Sequence, residues 1–122
     1  MTAPTAVLLG FDAHPDALAD LDRLPPAVHQ AAVTHLRHLV RAQVRGADLE
    51  RRGLWDLSGC RKVCLDADKR WRLVYQERLA RPLSPHTGEI YLIAAGARRG
   101  HEVYNIAARR LQLLTARAPR SS

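Results

Sequence analysis

Trp71-Arg72-Leu73-Val74-Tyr75 and Ile90-Tyr91-Leu92-Ile93-Ala94-Ala95 decide how this 122-residue chain folds. Both runs are rich in strand formers and each is too short for a buried helix. Between them, Arg78 to Gly88 carries Pro82, Ser84, Pro85 and Gly88, the composition of a long hairpin connection. Upstream, Lys62-Val63-Cys64-Leu65 alternates in polarity, and Asp66-Ala67-Asp68-Lys69 supplies the turn that joins it to the strand at Trp71. These signals predict an antiparallel three-stranded meander.

Towards the N-terminus, Ala6-Val7-Leu8-Leu9-Gly10-Phe11 reads as a first strand. His14-Pro15-Asp16 opens a helix, with Pro15 in the first turn, Asp16 and Asp20 at its positive end, and Ala17, Leu18 and Leu21 on its apolar side. Pro25-Pro26 breaks the chain and restarts a longer helix with the stripe Val33, Leu36, Val40 and Val44, beside Ala32 and Leu39, and Gly46 is expected to end it. Beyond the meander, a last helix starts near His101 and presents Val103, Ala107, Leu111 and Leu114. The expected fold is α+β: strand, helix hairpin, antiparallel three-stranded meander and C-terminal helix. The helices pack on one sheet face, leaving the other open to a ligand. Residues 1–116 form one domain and residues 117–122 a flexible tail.

The net charge is +7, carried unevenly: −3 over residues 1–36, +2 over 37–59 and +8 over 60–122. Seventeen of the nineteen basic residues are arginine, the side chain that pairs bidentately with phosphate, so a basic C-terminal half points towards nucleic acid or an acidic protein. No apolar run approaches the roughly 18 residues of a membrane span. The opening Met1-Thr2-Ala3-Pro4 lacks the basic start of a secretory signal, so a cytoplasmic location with no membrane partner is expected. Cys60 and Cys64 on one strand would stand about 13 Å apart, beyond disulfide reach. No P-loop, dinucleotide fingerprint or nucleophile elbow is present.

In the C-terminal half, Leu57-Ser58-Gly59-Cys60-Arg61-Lys62-Val63, Arg72-Leu73-Val74-Tyr75-Gln76, Ala95-Gly96-Ala97-Arg98, Glu102-Val103-Tyr104 and Ala108-Arg109-Arg110-Leu111 follow one another in order. Together they resemble the RelE/ParE toxin superfamily, nearest in wording to RelE-type ribonucleases, over about 100 of the 122 residues. The resemblance implies a RelE-like fold and the toxin of a type II toxin–antitoxin system. Such a toxin is an mRNA interferase cutting messenger RNA in the ribosomal A site, without metal or organic cofactor, and is held inactive by a cognate antitoxin. It places functional basic groups at Lys62, Arg72 and Arg98 and a functional phenol at Tyr104. RelE-type enzymes carry a second lysine two residues beyond the first, and here that position is Cys64.

RNA cleaves itself when a 2′-hydroxyl attacks the adjacent phosphate. The protein must supply alignment, a base, an acid for the leaving 5′-oxygen and positive charge for the phosphorane. Arg72 and Arg98 are candidates to clamp the phosphate, and Lys62 to move a proton, because an ammonium can release one whereas a guanidinium stays charged. Tyr104 can stack on a base or orient the ribose. His101, three residues earlier on the same helix face, offers an imidazole in place of the lysine missing at Cys64. Arg61 and Arg99 are candidate RNA-binding cations. Two other readings stay open: a ParE-like DNA gyrase inhibitor, and a catalytically weak RelE-fold binding module. Plainer roles also stay open, such as Arg72 pairing with Asp66 or Glu77.

Overall fold

The computed structural model describes residues 9–49, 57 and 59–117, with side chains as far as Gln112. Strand β1 (Leu9–Ala13) leads into helices α1 (Pro15–Arg23) and α2 (Pro26–Val40), then a two-residue strand β2 (Ala47–Asp48). Strands β3 (Cys60–Cys64), β4 (Trp71–Leu79) and β5 (Gly88–Ala97) form the meander, and a 3₁₀ turn (Arg99–His101) enters α3 (Glu102–Arg117). The α+β class and the element order match the sequence reading, with β2 added at the edge. Residues 6–8 of the expected first strand, the Leu114 side chain and residues 118–122 of the expected tail lie outside the described residues. Among those described, no helix is long and apolar enough to cross a membrane.

The sheet order is β1-β5-β4-β3-β2, with β1 parallel to β5 and the other pairs antiparallel. Local chemistry sets the helix starts. The His14 ring accepts from the Asp16 amide at 3.1 Å, capping α1, and Pro15 occupies a position whose missing N–H costs nothing. Pro26 opens α2 in the same way. His29 Nδ1 donates to the Leu21 carbonyl at 2.7 Å and ties the two helices together.

Two expectations need correction. Gly46 does not end α2: the helix stops at Val40, and Ala42 takes the left-handed turn with φ 56°. Gly46 is instead required by a close approach, since a Cβ there would lie 2.6 Å from the Lys62 carbonyl oxygen and 2.9 Å from the Tyr75 ring. Its amide donates to the Tyr75 hydroxyl at 2.7 Å. The apolar stripe of α2 is also rotated: Ala32 and Leu39 are buried, while Val44 is exposed.

Nor do the helices share one face. Leu73, Tyr75, Ile90 and Leu92 pack with α1 and α2, whereas Val74, Tyr91 and Ile93 pack with Val103, Tyr104 and Ala107 of α3. The physical reason is that β4 and β5 are apolar at successive positions, and such strands must be covered on both sides. An irregularity sharpens this: Val74 stands opposite Ala94 but Tyr75 opposite Leu92, leaving Ile93 as an extra residue.

Strand β1 ends opposite Leu92, so the β5 edge beyond it lacks a strand neighbour. A buried ion pair fills the gap. Asp20 of α1 accepts from the Ala95 amide at 3.2 Å, while Arg110 of α3 donates to the Ile93 carbonyl at 2.8 Å and to Asp20 at 2.6 Å. The two helices thus meet around the sheet edge through backbone groups that would otherwise be unsatisfied.

At the opposite edge Glu77 joins the α2–β2 connection to β3. It accepts from Arg45 at 2.7 Å and pairs with Arg61 at 3.0 Å, and Arg61 also reaches Asp48 and the Gly46 carbonyl. The Arg45 hydrogen bond holds the Glu77 carboxyl below its ordinary range, against partial burial that pushes it up. A lowered folded value gives stability that is whole above the ordinary glutamate range and is lost as pH falls through the folded value. Glu77→Gln is therefore expected to cost about 1 kcal/mol or less near neutrality, because the pair is solvent-screened. Urea melts of the variant and parent should converge at acidic pH; a difference unchanged between pH 7 and 3 would remove the linkage.

Candidate active site

The register of β3, β4 and β5 assembles one cluster on the face covered by α3. Lys62 lies opposite Val74, Cys64 opposite Arg72, and Arg72 opposite Gly96, so Lys62, Cys64 and Arg72 share that face. Arg72 is only 4% exposed. One guanidinium nitrogen donates to Cys64 Sγ and the group lies close enough to the Tyr104 phenol for its charge to act on it, while its Nε is buried with no hydrogen-bond partner among the described residues. The plainer partners do not take it. Asp66 accepts from the Arg70 and Trp71 amides at 2.9 and 3.0 Å, closing the hairpin turn, and Glu77 is held by Arg45 and Arg61.

Tyr104 is brought to Arg72 by the inward face of α3, which also buries Val103 and Ala107. Burial pushes its phenol above the ordinary tyrosine range, while Arg72 and then Arg98 pull it down and Cys64 adds to the rise. At neutral pH it is a neutral hydroxyl, suited to orient a ligand rather than to take a proton. Arg98 lies close enough for its charge to act on that phenol, and the His101 ring is 6.3 Å from the Tyr104 ring between centroids. Arg98, Arg99 and His101 are exposed and line a cavity of about 650 Å³ beside the cluster.

Of the residues singled out from sequence, the structure therefore brings together Arg72, Tyr104, Arg98 and His101, with Lys62 on the same face. Arg99 sits in the adjoining cavity. Arg61 is not brought to them: it lies opposite Tyr75, on the α1–α2 side, and is engaged with Glu77, Asp48 and Gly46. Alternation along a strand signals this, since neighbours such as Arg61 and Lys62 point to opposite faces. The sequence reading also missed Lys69 and Arg70, which line the cavity from the hairpin turn. Cys60 is buried and Cys64 exposed. Among the described residues, no three His, Cys, Asp or Glu side chains gather where they could hold a metal ion.

No protein-family model matches the chain, and no curated protein matches it in sequence. Solved structures do match. A free-state mutant of the E. coli toxin RelE superimposes with a TM-score of 0.59 at 22% identity, covering 85% of this chain and 98% of that one. The toxin–antitoxin complex RelBE2 from Mycobacterium tuberculosis matches with a TM-score of 0.53 at 24% identity, covering 75% and 100%. A YoeB/ParE toxin from Agrobacterium tumefaciens matches with a TM-score of 0.56 at 13% identity, covering 74% and 99%. The chain has the fold of the RelE/ParE toxin superfamily.

Proposed function

We propose that the chain is the toxin of a type II toxin–antitoxin pair and cleaves messenger RNA in the ribosomal A site by 2′-hydroxyl attack on the adjacent phosphate. The observation that carries this reading is Arg72, a buried guanidinium that among the described residues meets a thiol and a phenol rather than a carboxylate. Burying a charge is costly unless it is paired. An anion arriving beside Cys64 and Tyr104 completes it, and a phosphorane, which gains negative charge in the transition state, is bound more tightly than the ground-state phosphate.

In this reading Arg98 clamps the phosphate from the exposed side and Arg72 from beneath. Lys62 and His101 serve proton transfer, the Tyr104 hydroxyl orients the ribose, and Arg99 holds a flanking phosphate. Arg61 is left to the fold. An acidic antitoxin segment is the expected inhibitor, drawn by the charge of the C-terminal half. The RelBE2 structure is itself a toxin–antitoxin complex.

The test is to express the chain alone in growing bacteria and map new 5′ ends on messenger RNA. Growth arrest with cuts in translated frames is expected, and Arg98→Ala should reduce the cuts by about 10²-fold. Growth arrest without cuts, accompanied by inhibition of DNA supercoiling, would replace the proposal with a ParE-like gyrase inhibitor. One observation favours a weaker module: Cys64 contributes no charge where RelE-type enzymes have their second lysine. Folded protein that causes neither arrest nor cuts would establish that reading.

A further inference from the structure

The cavity beside the cluster has a composition of its own. Lys69, Arg70 and Trp71 contribute from the β3–β4 turn and the start of β4, and Arg98, Arg99 and His101 from the end of β5 and the turn into α3. The two segments are fastened together by the Arg98 amide, which donates to the Arg70 carbonyl at 2.7 Å, and by the pairing of Trp71 with Ala97. Four arginine and lysine side chains thus face one space of about 650 Å³ in which, among the described residues, Asp68 is the single acid.

That acid does not neutralise the site. Asp68 approaches Arg70 at 3.6 Å with both side chains more than 70% exposed, a screened pair that opens at little cost. Among the described residues, Lys69, Arg98 and Arg99 have no carboxylate within ion-pair distance. The backbone supplies a second, independent sign. Lys69 and His101 take left-handed φ values of 59° and 58°, and Gly100 between the arginines and α3 takes 62°. Two of the four left-handed non-glycine residues among those described therefore line this one cavity. Such conformations persist only where surrounding structure enforces them, and they gather at ligand sites.

We propose that this cavity is a subsite for a nucleotide of single-stranded RNA next to the one being cleaved. Its phosphate lies between Arg99, Arg70 and Lys69, and its base lies against Trp71. The assignment rests on the nuclease reading above, because Arg98 belongs to both places and would pass the strand from one to the other. The size suits a nucleotide, and cations beside an aromatic ring are the chemistry that binds single strands without reading sequence. Trp71 is half-buried, packed in part on the α1–α2 cluster, and only its remaining surface meets the cavity; the alternative occupant, an acidic antitoxin segment, would answer the same charge and is separated from RNA by the experiment below.

The experiment titrates the intact protein with a fluorescein-labelled hexauridylate carrying 2′-deoxy sugars throughout, which cannot be cleaved, and reads anisotropy at several salt concentrations. Lys69→Ala with Arg99→Ala should weaken binding about tenfold and flatten the dependence of log K on log salt by roughly 1.4, the value for two lost phosphate contacts on a single strand. Trp71→Leu should weaken binding by at least about fivefold with the salt slope unchanged, as expected for lost stacking. Binding unaffected by all three substitutions would overturn the subsite, whatever the cleavage assay shows. Binding that weakens as described in a protein that makes no cuts would keep the subsite and remove the nuclease. If an acidic helical peptide competes with the hexamer but the Trp71→Leu effect is absent, the cavity is an antitoxin contact and the RNA assignment fails.

Discussion

Arg72→Met is expected to abolish messenger RNA cleavage, a loss of about 10²- to 10³-fold, while leaving the protein as stable as before or up to about 1 kcal/mol more stable. The two halves of this expectation have one cause. Methionine fills a similar volume among Val74, Tyr104 and the strand backbone, so no large cavity opens. It also removes a charge that is buried at 4% exposure and, among the described residues, faces only Cys64 and Tyr104. A group kept for structure would show the reverse pattern, with thermal stability falling and any remaining activity following the folded fraction. Arg72→Lys sharpens the distinction: it keeps the charge but loses the planar fork that spans thiol and phenol, and rescue of cleavage should be poor. Cleavage retained in Arg72→Met would remove this residue from the chemistry.

Asp20→Ala should be the most destabilising single substitution among the polar residues, costing about 3–5 kcal/mol by urea unfolding at neutral pH. Asp20 is 6% exposed and holds both the Ala95 amide and the Arg110 guanidinium. Its removal leaves the largely buried Arg110 with only the Ile93 carbonyl and no counter-charge, and the Ala95 amide without its acceptor. Arg23, 3.6 Å from the same carboxylate but largely exposed, simply returns to water when the carboxylate is removed and adds little to the loss. Arg110→Met on the Asp20→Ala background should recover part of the loss, since the stranded charge is then gone. Against a typical total of about 5–15 kcal/mol, the single variant would be close to the folding threshold. A loss below about 1 kcal/mol would mean that water screens the pair as it does at a surface.

The helix hairpin and the meander were legible because Pro15, Pro25-Pro26 and the Asp66–Lys69 turn act through local sterics and hydrogen bonds, which sequence carries directly. The two-faced sheet was also written in Leu73-Val74 and Leu92-Ile93, where apolar residues follow one another without alternation. Reading those runs as strands while leaving one face open missed half of what they say. Gly46 looked like a helix terminator because glycine has two uses, and only the approach of Lys62 and Tyr75 from residues 16 and 29 positions later distinguishes them. The Asp20–Arg110 pair spans 90 positions and exists only because α1 and α3 flank the same strand edge from opposite sides. At the candidate site, the resemblance to RelE-type ribonucleases singled out Arg72, Arg98 and Tyr104, which the fold brings near one another, whereas facing was lost for Arg61. Period-two alternation beside Lys62 was the available signal.

The parallel pairing of β1 with β5 also dictates a schedule. Leu9 finds its partner only at Gly88, and Ala13 only at Leu92, so the strand made earliest must wait for the one made last in the sheet. Until then α1 and α2 lack Ile90 and Leu92, the β5 part of the surface that buries Leu21 and Leu39, and the two helices are marginal with those leucines incompletely covered. Contacts of such long sequence separation close slowly. Arg98 and Tyr104 follow β5 directly, so closure of the sheet and completion of the cluster occur in one late event, and a half-made chain has neither.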